Sequence, residues 1–392
     1  MEVAIAIFLI VICCLIIWRA SDGFEAASEY LGRNMTEGVR GATINAIGSS
    51  MPELFTTLFF LIWLNDTDGF SGGIGTTAGS AIFNGMIIPA VVIFVVLMIG
   101  ITKSITVSKK VILRDGLFLI GAELILIFLI SGKTLNWWHG LILMLTYGIY
   151  MTYMLTTMKS SEGEEEEEEE EGEGEGEGEG EGEGEDIGVI KGLFTLNLEA
   201  VFIGKKEIKT KNAWVLLSFS MLVIGGACLL LVYSCEMIGN ALDIPIMFIA
   251  VVLASAATSV PDTIISMRDA KKGNYDDAIA NALGSNIFDI CFALGFPLFL
   301  YCIIYGSISM DPSTIEFSSE LRILLLICTV ISFFIYYIGS KMGKFKALML
   351  IMIYLLFTTY IIGQSIGAEW VDTVSDILNK IYNFIKGDGI TG

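Results

Sequence analysis

The sequence predicts an all-α integral membrane protein with ten transmembrane helices, arranged as two inverted five-helix repeats. Three observations predict this fold class: the composition, the distribution of apolar runs, and a pair of repeated polar motifs. Hydrophobic residues make up 54% of the 392 residues, charged residues only 17%, and the mean hydropathy is +0.71. A soluble protein of this size could not bury so much apolar side chain in its core, so we expect lipid to be its main solvent.

Ten apolar runs are long enough to span a bilayer, which takes about 20 helical residues. The first run is preceded by Glu2 and followed by Arg19, the reverse of the charge order in a signal peptide, so we interpret it as a retained helix. The runs form two groups of five: 2–18, 40–63, 73–100, 112–130 and 137–157, then 213–233, 244–266, 276–304, 321–339 and 346–363.

Positive charge is concentrated in alternate loops. The loops after the odd-numbered runs hold 19 Lys and Arg residues, whereas those after the even-numbered runs hold 2. By the positive-inside rule, the odd loops face the cytoplasm and both termini lie outside. The two halves then cross the membrane in opposite directions. We expect this membrane to be the plasma membrane.

Much of the net charge of −20 comes from one segment between the halves. Residues 162–186 contain 17 of the 43 acidic residues, and the rest of the chain is nearly neutral. We predict a first repeat at 1–158, an acidic, disordered cytoplasmic loop at 159–212, and a second repeat at 213–392. The glutamate run is interpreted as a solvated linker, with weak collection of Ca²⁺ left open. No basic surface remains for nucleic acid, and no obligatory protein partner is predicted.

Cysteine and histidine usage excludes several chemistries. The seven cysteines lie in or beside apolar runs without a C-x-x-C pair, and His139 is the only histidine. A disulfide framework, a zinc centre and histidine catalysis are therefore not expected. We predict a transporter that carries no cofactor, in contact with the lipid bilayer, rather than an enzyme.

Two runs are polar at their centres, and each has a repeated counterpart. Ser-Ser-Met-Pro-Glu at 49–53 matches Thr-Ser-Val-Pro-Asp at 258–262, and Gly-Ser-Ala-Ile-Phe-Asn at 79–84 matches Gly-Ser-Asn-Ile-Phe-Asp at 284–289. The offsets are 209 and 205 residues, and the copies lie five spans apart, an odd number, so the repeat is inverted. Matched polar segments interrupted by proline are typical of a transporter's midplane site.

Helical spacing gathers oxygen atoms around two carboxylates, Glu53 and Asp262. Residues three, four and seven positions before each carboxylate share its helix face, and i, i+4 pairs lie on the neighbouring spans. The proline rings should free backbone carbonyls near 46–48 and 255–257. Oxygen ligands without sulfur or nitrogen suit Ca²⁺ and Na⁺. The candidate cation ligands are Glu53, Asp262, Asn84, Asp289, Ala46, Ser49, Ser50, Ser80, Ser255, Thr258, Ser259 and Ser285.

Energetics favour a bound cation over a purely structural explanation. A proline in a membrane helix is often only a kink, and Ser and Thr often bond back to their own helix. A carboxylate at mid-membrane, however, costs about 3 kcal/mol or more. A cation would offset this cost for Glu53, Asp262 and Asp289 together.

At these residues the sequence resembles the calcium/cation antiporter superfamily, whose repeats carry G-[ST]-S-x-P-[ED] and G-S-x-x-x-[ND]. It is most similar to the potassium-dependent sodium/calcium exchangers, over 39–90 and 244–300. The resemblance implies a ten-helix inverted-repeat fold and alternating access, in which Na⁺ moving inward drives Ca²⁺ out and spans one and six slide across the others.

The resemblance also implies roles for the candidate ligands. Glu53 and Asp262 look like the central Ca²⁺ carboxylates, and Asn84 and Asp289 look like flanking Ca²⁺ ligands. The remaining oxygens look like the family's Na⁺ ligands: the side chains of Ser49, Ser50, Ser80, Thr258, Ser259 and Ser285, with the carbonyls of Ala46 and Ser255.

Potassium dependence is left open. Asp289 is similar to the acid associated with K⁺ cotransport in the potassium-dependent branch. Three carboxylates with one Ca²⁺ leave a charge of −1, which K⁺ or a proton could neutralise.

Two residues depart from the family pattern: Ala257 stands where glycine is usual, and Ser255 stands where a small apolar residue is common. The segment 159–212 is too short for the paired calcium-binding β domains of animal sodium/calcium exchangers.

Other functions remain as alternatives. A Ca²⁺/H⁺ exchanger of the same superfamily would transport Ca²⁺ without Na⁺. An ion channel or passive Ca²⁺ leak would need no counter-ion gradient. A receptor or membrane enzyme has no supporting catalytic constellation in the sequence.

Overall fold

The structure is a computed structural model that describes residues 1–33, 39–64, 69–168, 192, 195–204, 208–339 and 341–386. Helices account for most of these residues. Much of the predicted disordered loop at 159–212 lies outside the described residues, including the acidic segment beyond residue 168.

The described helices follow the predicted order of spans. The second span is broken into α2 and α3, and short connections separate most of the others. The helices are α1 (Glu2–Leu31), α2 (Gly41–Ser49), α3 (Met51–Trp63), α4 (Gly69–Ile99), α5 (Lys109–Leu129), α6 (Trp137–Glu168), α7 (Leu198–Phe202), α8 (Thr210–Leu242), α9 (Ile246–Lys272), α10 (Tyr275–Tyr305), α11 (Pro312–Tyr337), α12 (Lys344–Ser365) and α13 (Glu369–Lys386).

Helices occupy all ten predicted spans. Seven of the described helices are long and apolar enough to cross a membrane, and the pair α2 and α3, bent by 42°, makes an eighth. The two remaining spans, α5 and α6, are more polar. Arg114 and Asp115 form an ion pair at 2.7 Å within α5, and α6 begins with two tryptophans and His139.

Several helix ends differ from the prediction. Helix α1 continues past residue 18 to Leu31, because polar residues that contact other helices extend it beyond the apolar run. Helix α6 reaches Glu168, into the segment predicted to be disordered, in keeping with the high helix propensity of glutamate. Helix α13 was not predicted. It is amphipathic and buries Val371, Leu378 and Tyr382, and it packs against α11.

Two short antiparallel ladders show the inverted relation of the halves. Strand β1 (Ile105–Thr106), between α4 and α5, pairs with β4 (Lys341–Met342), between α11 and α12. Strand β2 (Thr134–Leu135), between α5 and α6, pairs with β3 (Ile308–Ser309), between α10 and α11. Each ladder therefore joins loops that the predicted topology places on the same side of the membrane. Superposing one half on the other would bring each ladder onto the other ladder, on the opposite side.

The first helices of the two halves, α1 and α8, pack along one another and bury residues in clusters apart from the main core. Near the end of α1, Arg268 of α9 contacts Glu25 and bonds to Asp22, with 2.5 Å between Nη2 and Oδ1. One turn further along α9, Lys272 bonds to Glu29, with 3.2 Å between Nζ and Oε1. These ion pairs join α1 to α9 at one end of the helix.

Two glycines of the repeated motifs allow helices of opposite halves to cross closely. A Cβ on Gly79 of α4 would overlap the carbonyl oxygen of Val251 in α9. A Cβ on Gly284 of α10 would lie 2.8 Å from the carbonyl oxygen of Ala42 in α2. Ala42 and Val251 are 209 residues apart, the offset of the first motif, so the two crossings are equivalent under the repeat. The predicted fold class is confirmed.

The crossing of α4 and α9 should be sensitive to a single methyl group. We expect Gly79→Ala to destabilise the protein by about 1–3 kcal/mol or more, because the added carbon meets a backbone carbonyl that cannot turn away. Gly121→Ala is the matched control, since nothing lies within 4 Å of the position that a Cβ would take there. Thermal unfolding of the detergent-purified variants measures the difference, and equal melting temperatures would contradict the crossing.

Candidate cation-binding site

The two proline motifs break their helices in the same way. Ser50 and Ser259, each two residues before a proline, leave helical geometry with φ, ψ of −91°, 9° and −77°, 4°. One turn before each break lies a π-helical segment, Gly41–Asn45 in one half and Ala250–Ala254 in the other. The segments are 209 residues apart, so the backbone distortion itself is repeated. Such π-helical turns are frequent at functional sites.

The structure brings the predicted ligands together in the interior. All twelve are buried, and none is more than 1% exposed. They lie on α2, α3 and α4 of the first half and on α9 and α10 of the second. The carboxylates stand just after the two breaks, and the flanking serines and Asn84 or Asp289 lie on the adjacent helices.

Glu53 accepts a hydrogen bond from a hydroxyl of its own half, and that hydroxyl contacts one from the other half. Ser80 donates to Glu53 Oε1 at 2.8 Å, and the hydroxyls of Ser80 and Ser259 lie 2.5 Å apart. The second oxygen, Oε2, has no hydrogen-bond partner among the described residues. This carboxylate therefore keeps one oxygen available for a cation.

Asp262 has an equivalent arrangement. Ser285 donates to Asp262 Oδ1 at 2.5 Å, and Asn84 Nδ2 donates to Oδ2 at 3.4 Å. Ser285 is the repeat counterpart of Ser80, so each carboxylate accepts a hydrogen bond from the serine of its own half. Asn84, from the other half, adds a contact across the repeat.

Asp289 completes the acidic region. It lies close enough to Glu53 and Asp262 to interact with them electrostatically, and it begins a π-helical turn, Asp289–Ala293. The corresponding part of α4, which follows Asn84, is ordinary α-helix. Buried polar atoms around the site that lack a hydrogen-bond partner among the described residues are Ser50 Oγ, Glu53 Oε2, Asn84 Oδ1, and both Oδ1 and Oδ2 of Asp289.

Two predicted carbonyl ligands are already engaged in the helix. Ala46 O accepts from the backbone N–H of Ser50 at 3.1 Å, and Ser255 O accepts from the N–H of Ser259 at 3.0 Å. The Ser255 hydroxyl donates to Val251 O at 2.5 Å and so bonds to its own helix. Ser255 O also accepts from the Thr258 hydroxyl at 3.1 Å, so both of its lone pairs are engaged, and a cation there would have to displace that hydroxyl. The second lone pair of Ala46 O has only a contact of 3.4 Å, with Ser49 Oγ.

No basic side chain compensates these carboxylates. In the ranges that the structure describes, no ion pair includes Glu53, Asp262 or Asp289. Nor, in the same ranges, does any group of three or more His, Cys, Asp or Glu residues have an arrangement that could hold a metal ion. A cation here would therefore depend on hydroxyl, amide and carbonyl oxygens besides the carboxylates. Mixed oxygen sets of this kind are typical of Ca²⁺ and of Na⁺.

Comparison with known families decides the class of protein. The sequence model described as "Sodium/calcium exchanger protein" matches residues 5–156 and 212–363. The chain belongs to this family. It is an integral, multi-pass membrane protein and an ion antiporter of the calcium/cation antiporter superfamily, and it is a transporter rather than an enzyme.

Individual members of the sodium/calcium exchanger family are only distantly similar. Human sodium/potassium/calcium exchanger 5 is 26% identical over 88% of this chain and 79% of its own length. Among solved structures, the H⁺/Ca²⁺ exchanger CAX has a TM-score of 0.63 at 15% identity, covering 99% of this chain and 88% of that one. The sodium-calcium exchanger NCX_Mj has a TM-score of 0.54 at 22% identity, covering 90% and 97%. These structures establish the exchanger fold.

Asn281 of α10 is a site residue that our sequence analysis missed. It is fully buried and contacts Ser49, Ser266 and the backbone carbonyl of Asp262. It precedes Ser285 by four residues and Asp289 by eight, so helical spacing places all three on one face of α10. That spacing was available in the sequence, but position 281 lies outside the repeated motif.

Binding of Ca²⁺ should stabilise the exchanger through its central carboxylates. We expect saturating Ca²⁺ to raise the melting temperature of the wild type, and Glu53→Gln and Asp262→Asn to lose that increase, because a ligand that binds only the folded state stabilises it. Glu123→Gln is the matched control. Glu123 is also buried and bonded to a hydroxyl, that of Thr329 at 2.6 Å, but it lies outside the site. A full Ca²⁺ response in Glu53→Gln would contradict the assignment.

Proposed function

We propose that this antiporter exchanges Na⁺ for Ca²⁺ by alternating access. The observation that carries the proposal is the set of three buried carboxylates, Glu53, Asp262 and Asp289, which have oxygen-bearing neighbours and no ion pair among the described residues. Permanent burial of this charge would be costly, so the site is stable only when cations occupy it or protons neutralise it. Membership of the sodium/calcium exchanger family supports Ca²⁺ and Na⁺ as those cations.

In this proposal the two ions share one region. Ca²⁺ binds between Glu53 and Asp262, with Asn84 and Asp289 as flanking ligands. Na⁺ binds to the surrounding hydroxyls and carbonyls, at Ala46, Ser49, Ser50, Ser80, Ser255, Thr258, Ser259 and Ser285. Because the hydroxyls of Ser80 and Ser285 are bonded to the same carboxylates that would hold Ca²⁺, the two ions compete, and this competition couples their movements.

Asp289 is the residue that we propose for K⁺ cotransport. Ca²⁺ neutralises two of the three carboxylates, and K⁺ near Asp289 would neutralise the third. Both oxygens of the Asp289 carboxylate lack a hydrogen-bond partner among the described residues. The similarity to human sodium/potassium/calcium exchanger 5 supports K⁺, although a proton would satisfy the same charge balance.

Alternating access would come from movement of α1 and α8 across the other helices. The described conformation has a cavity of about 520 Å³ beside the end of α8, lined in part by Glu236, Asp243 and Asp311, which would concentrate cations. By the predicted topology this is the outer side. At the opposite side, the ion pairs of Arg268 and Lys272 hold α1 against α9, so we propose that they must separate when the site opens inward.

The same topology gives the proposed orientation. Both termini lie outside, the loop at 159–212 is cytoplasmic, and the plasma membrane is the proposed location. The halves 1–158 and 213–392 then act as the two inverted units.

Transport is tested directly in Na⁺-loaded liposomes diluted into Na⁺-free buffer containing ⁴⁵Ca²⁺. We expect Ca²⁺ uptake that requires internal Na⁺ and is abolished in Glu53→Gln, because the central carboxylate pair is broken. Liposomes with a proton gradient but no Na⁺ serve as the control. Uptake driven by protons alone would support a Ca²⁺/H⁺ exchanger instead. Uptake without a Na⁺ gradient or a proton gradient would indicate a leak.

The K⁺ role of Asp289 is tested in the same assay. We expect wild-type uptake to require K⁺ beside the Ca²⁺, and Asp289→Asn to transport without that requirement, because its site carries one negative charge fewer. Asn84→Asp in the Asp289→Asn background restores the number of carboxylates at the counterpart position and should restore the requirement. An unchanged need for K⁺ in Asp289→Asn would refute the role.

A further inference from the structure

Asn281 lies where the two halves meet, between α2 and α9. Its side chain is fully buried on α10, four residues before Ser285. The amide nitrogen donates to Ser266 Oγ at 3.1 Å and lies 3.4 Å from the backbone carbonyl oxygen of Asp262, and both partners are on α9. With both donor contacts on α9, the amide oxygen is turned toward α2, where it faces Ser49.

The Ser49 hydroxyl can donate only one hydrogen bond, and its shortest contact is the acceptor of that bond. Ser49 Oγ lies 2.8 Å from the backbone carbonyl of Asn45, a normal hydrogen-bond distance. The oxygens of Asn281 and Ser285 are both 3.4 Å from Ser49 Oγ, longer than normal hydrogen bonds between oxygens. The Ser285 proton is directed to Asp262, so lone pairs of these three oxygens remain.

A separation of 3.4 Å has a simple geometric meaning. Around a cation with octahedral ligands at about 2.4 Å, adjacent oxygens are about 3.4 Å apart. Ser49 with Asn281, and Ser49 with Ser285, are therefore spaced as neighbouring ligands of one cation would be, and farther apart than normal hydrogen-bonded oxygens. Asp262 Oδ1, 2.5 Å from Ser285 Oγ, lies beside them and supplies the charge.

The position that corresponds to Asn281 in the first half has no amide group. The residue 205 positions before Asn281 is Thr76 of α4, and its hydroxyl donates at 2.9 Å to the carbonyl of Gly72 in its own helix. Thr76 is also fully buried, so the difference is one of chemistry rather than exposure.

We propose that the amide oxygen of Asn281 is an additional Na⁺ ligand, beside Ser49 and Ser285, and that the two halves therefore present unequal Na⁺ sites. This inference rests on the proposed Na⁺/Ca²⁺ exchange. A neutral amide oxygen contributes more to a monovalent ion held mainly by hydroxyls than to Ca²⁺, which is held mainly by carboxylates. Loss of the Asn281 amide should therefore weaken Na⁺ binding much more than Ca²⁺ binding.

The test compares Asn281→Ala and Asn281→Thr with Thr76→Val, the matched control at the counterpart position. Half-saturating Na⁺ and half-saturating Ca²⁺ are measured separately by flux in reconstituted liposomes. We expect both Asn281 variants to raise half-saturating Na⁺ about tenfold, the effect of losing one oxygen ligand, and to change half-saturating Ca²⁺ less than about twofold. Thr76→Val should change neither value.

Each other result overturns a defined part of the inference. Equal weakening of Na⁺ binding and Ca²⁺ binding would make Asn281 a positioning residue for Asp262 rather than a Na⁺ ligand. Unchanged half-saturating concentrations of both ions would show that Asn281 is not part of the site. Where a variant shows no flux, its thermal stabilisation by Na⁺ and by Ca²⁺ gives the same comparison. Wild-type flux without Na⁺ dependence would overturn the proposed function together with this inference. If wild-type flux depends on Na⁺ but Asn281→Ala changes neither half-saturating concentration, the inference alone is overturned.

Discussion

The burial of uncompensated carboxylates is the constraint on which the structure of this antiporter depends. Glu53, Asp262 and Asp289 are fully buried, and none belongs to an ion pair in the described ranges. A fixed Lys or Arg would satisfy the charge permanently and leave nothing for a transported ion to do. Hydroxyl donors such as Ser80 and Ser285 instead stabilise the carboxylates partly, and their bonds can be replaced by a cation. The proposed site is therefore held together without being closed to a cation.

This arrangement requires close contact between helices of opposite halves. Glycine at 79 and 284 brings α4 against α9 and α10 against α2, so that hydroxyls from one half reach carboxylates or hydroxyls of the other. The repeated breaks at Ser50 and Ser259 place each carboxylate at the first turn of a new helix segment, where the helix dipole favours negative charge. Backbone features thus provide both the proximity and part of the electrostatic stabilisation. Larger side chains at these glycines would separate the two halves of the site.

Much of this organisation could be predicted from the sequence, because it depends on local patterns. Hydropathy located the ten spans, and the repeated Pro-Glu and Pro-Asp motifs located the buried carboxylates. What could not be predicted depends on contacts between distant residues. The polar end of α1 is helical because Asp22, Glu25 and Glu29 meet Arg268 and Lys272, and no local signal shows that. The amphipathic helix α13 was not predicted because only one of its faces is apolar, so it has no continuous apolar run of the length that spans a membrane. The Ser255 hydroxyl, by contrast, bonds to Val251 one turn earlier in its own helix, a local contact that serine often makes in membrane helices.

The two halves share the same helix breaks and π-helical segments but have different side chains at the site. Glu53 corresponds to Asp262, Asn84 to Asp289, Ala46 to Ser255 and Thr76 to Asn281. The extra carboxylate and the extra amide both lie on α10, and α10 also has the π-helical turn that α4 lacks. In an inverted repeat, the inward-open and outward-open conformations differ by an exchange of the roles of the halves. Identical side chains would make the ion site equivalent in both conformations. If these residues bind the transported ions as proposed, the unmatched oxygens on α10 would make the two conformations chemically different and would give unequal ion affinities on the two sides of the membrane.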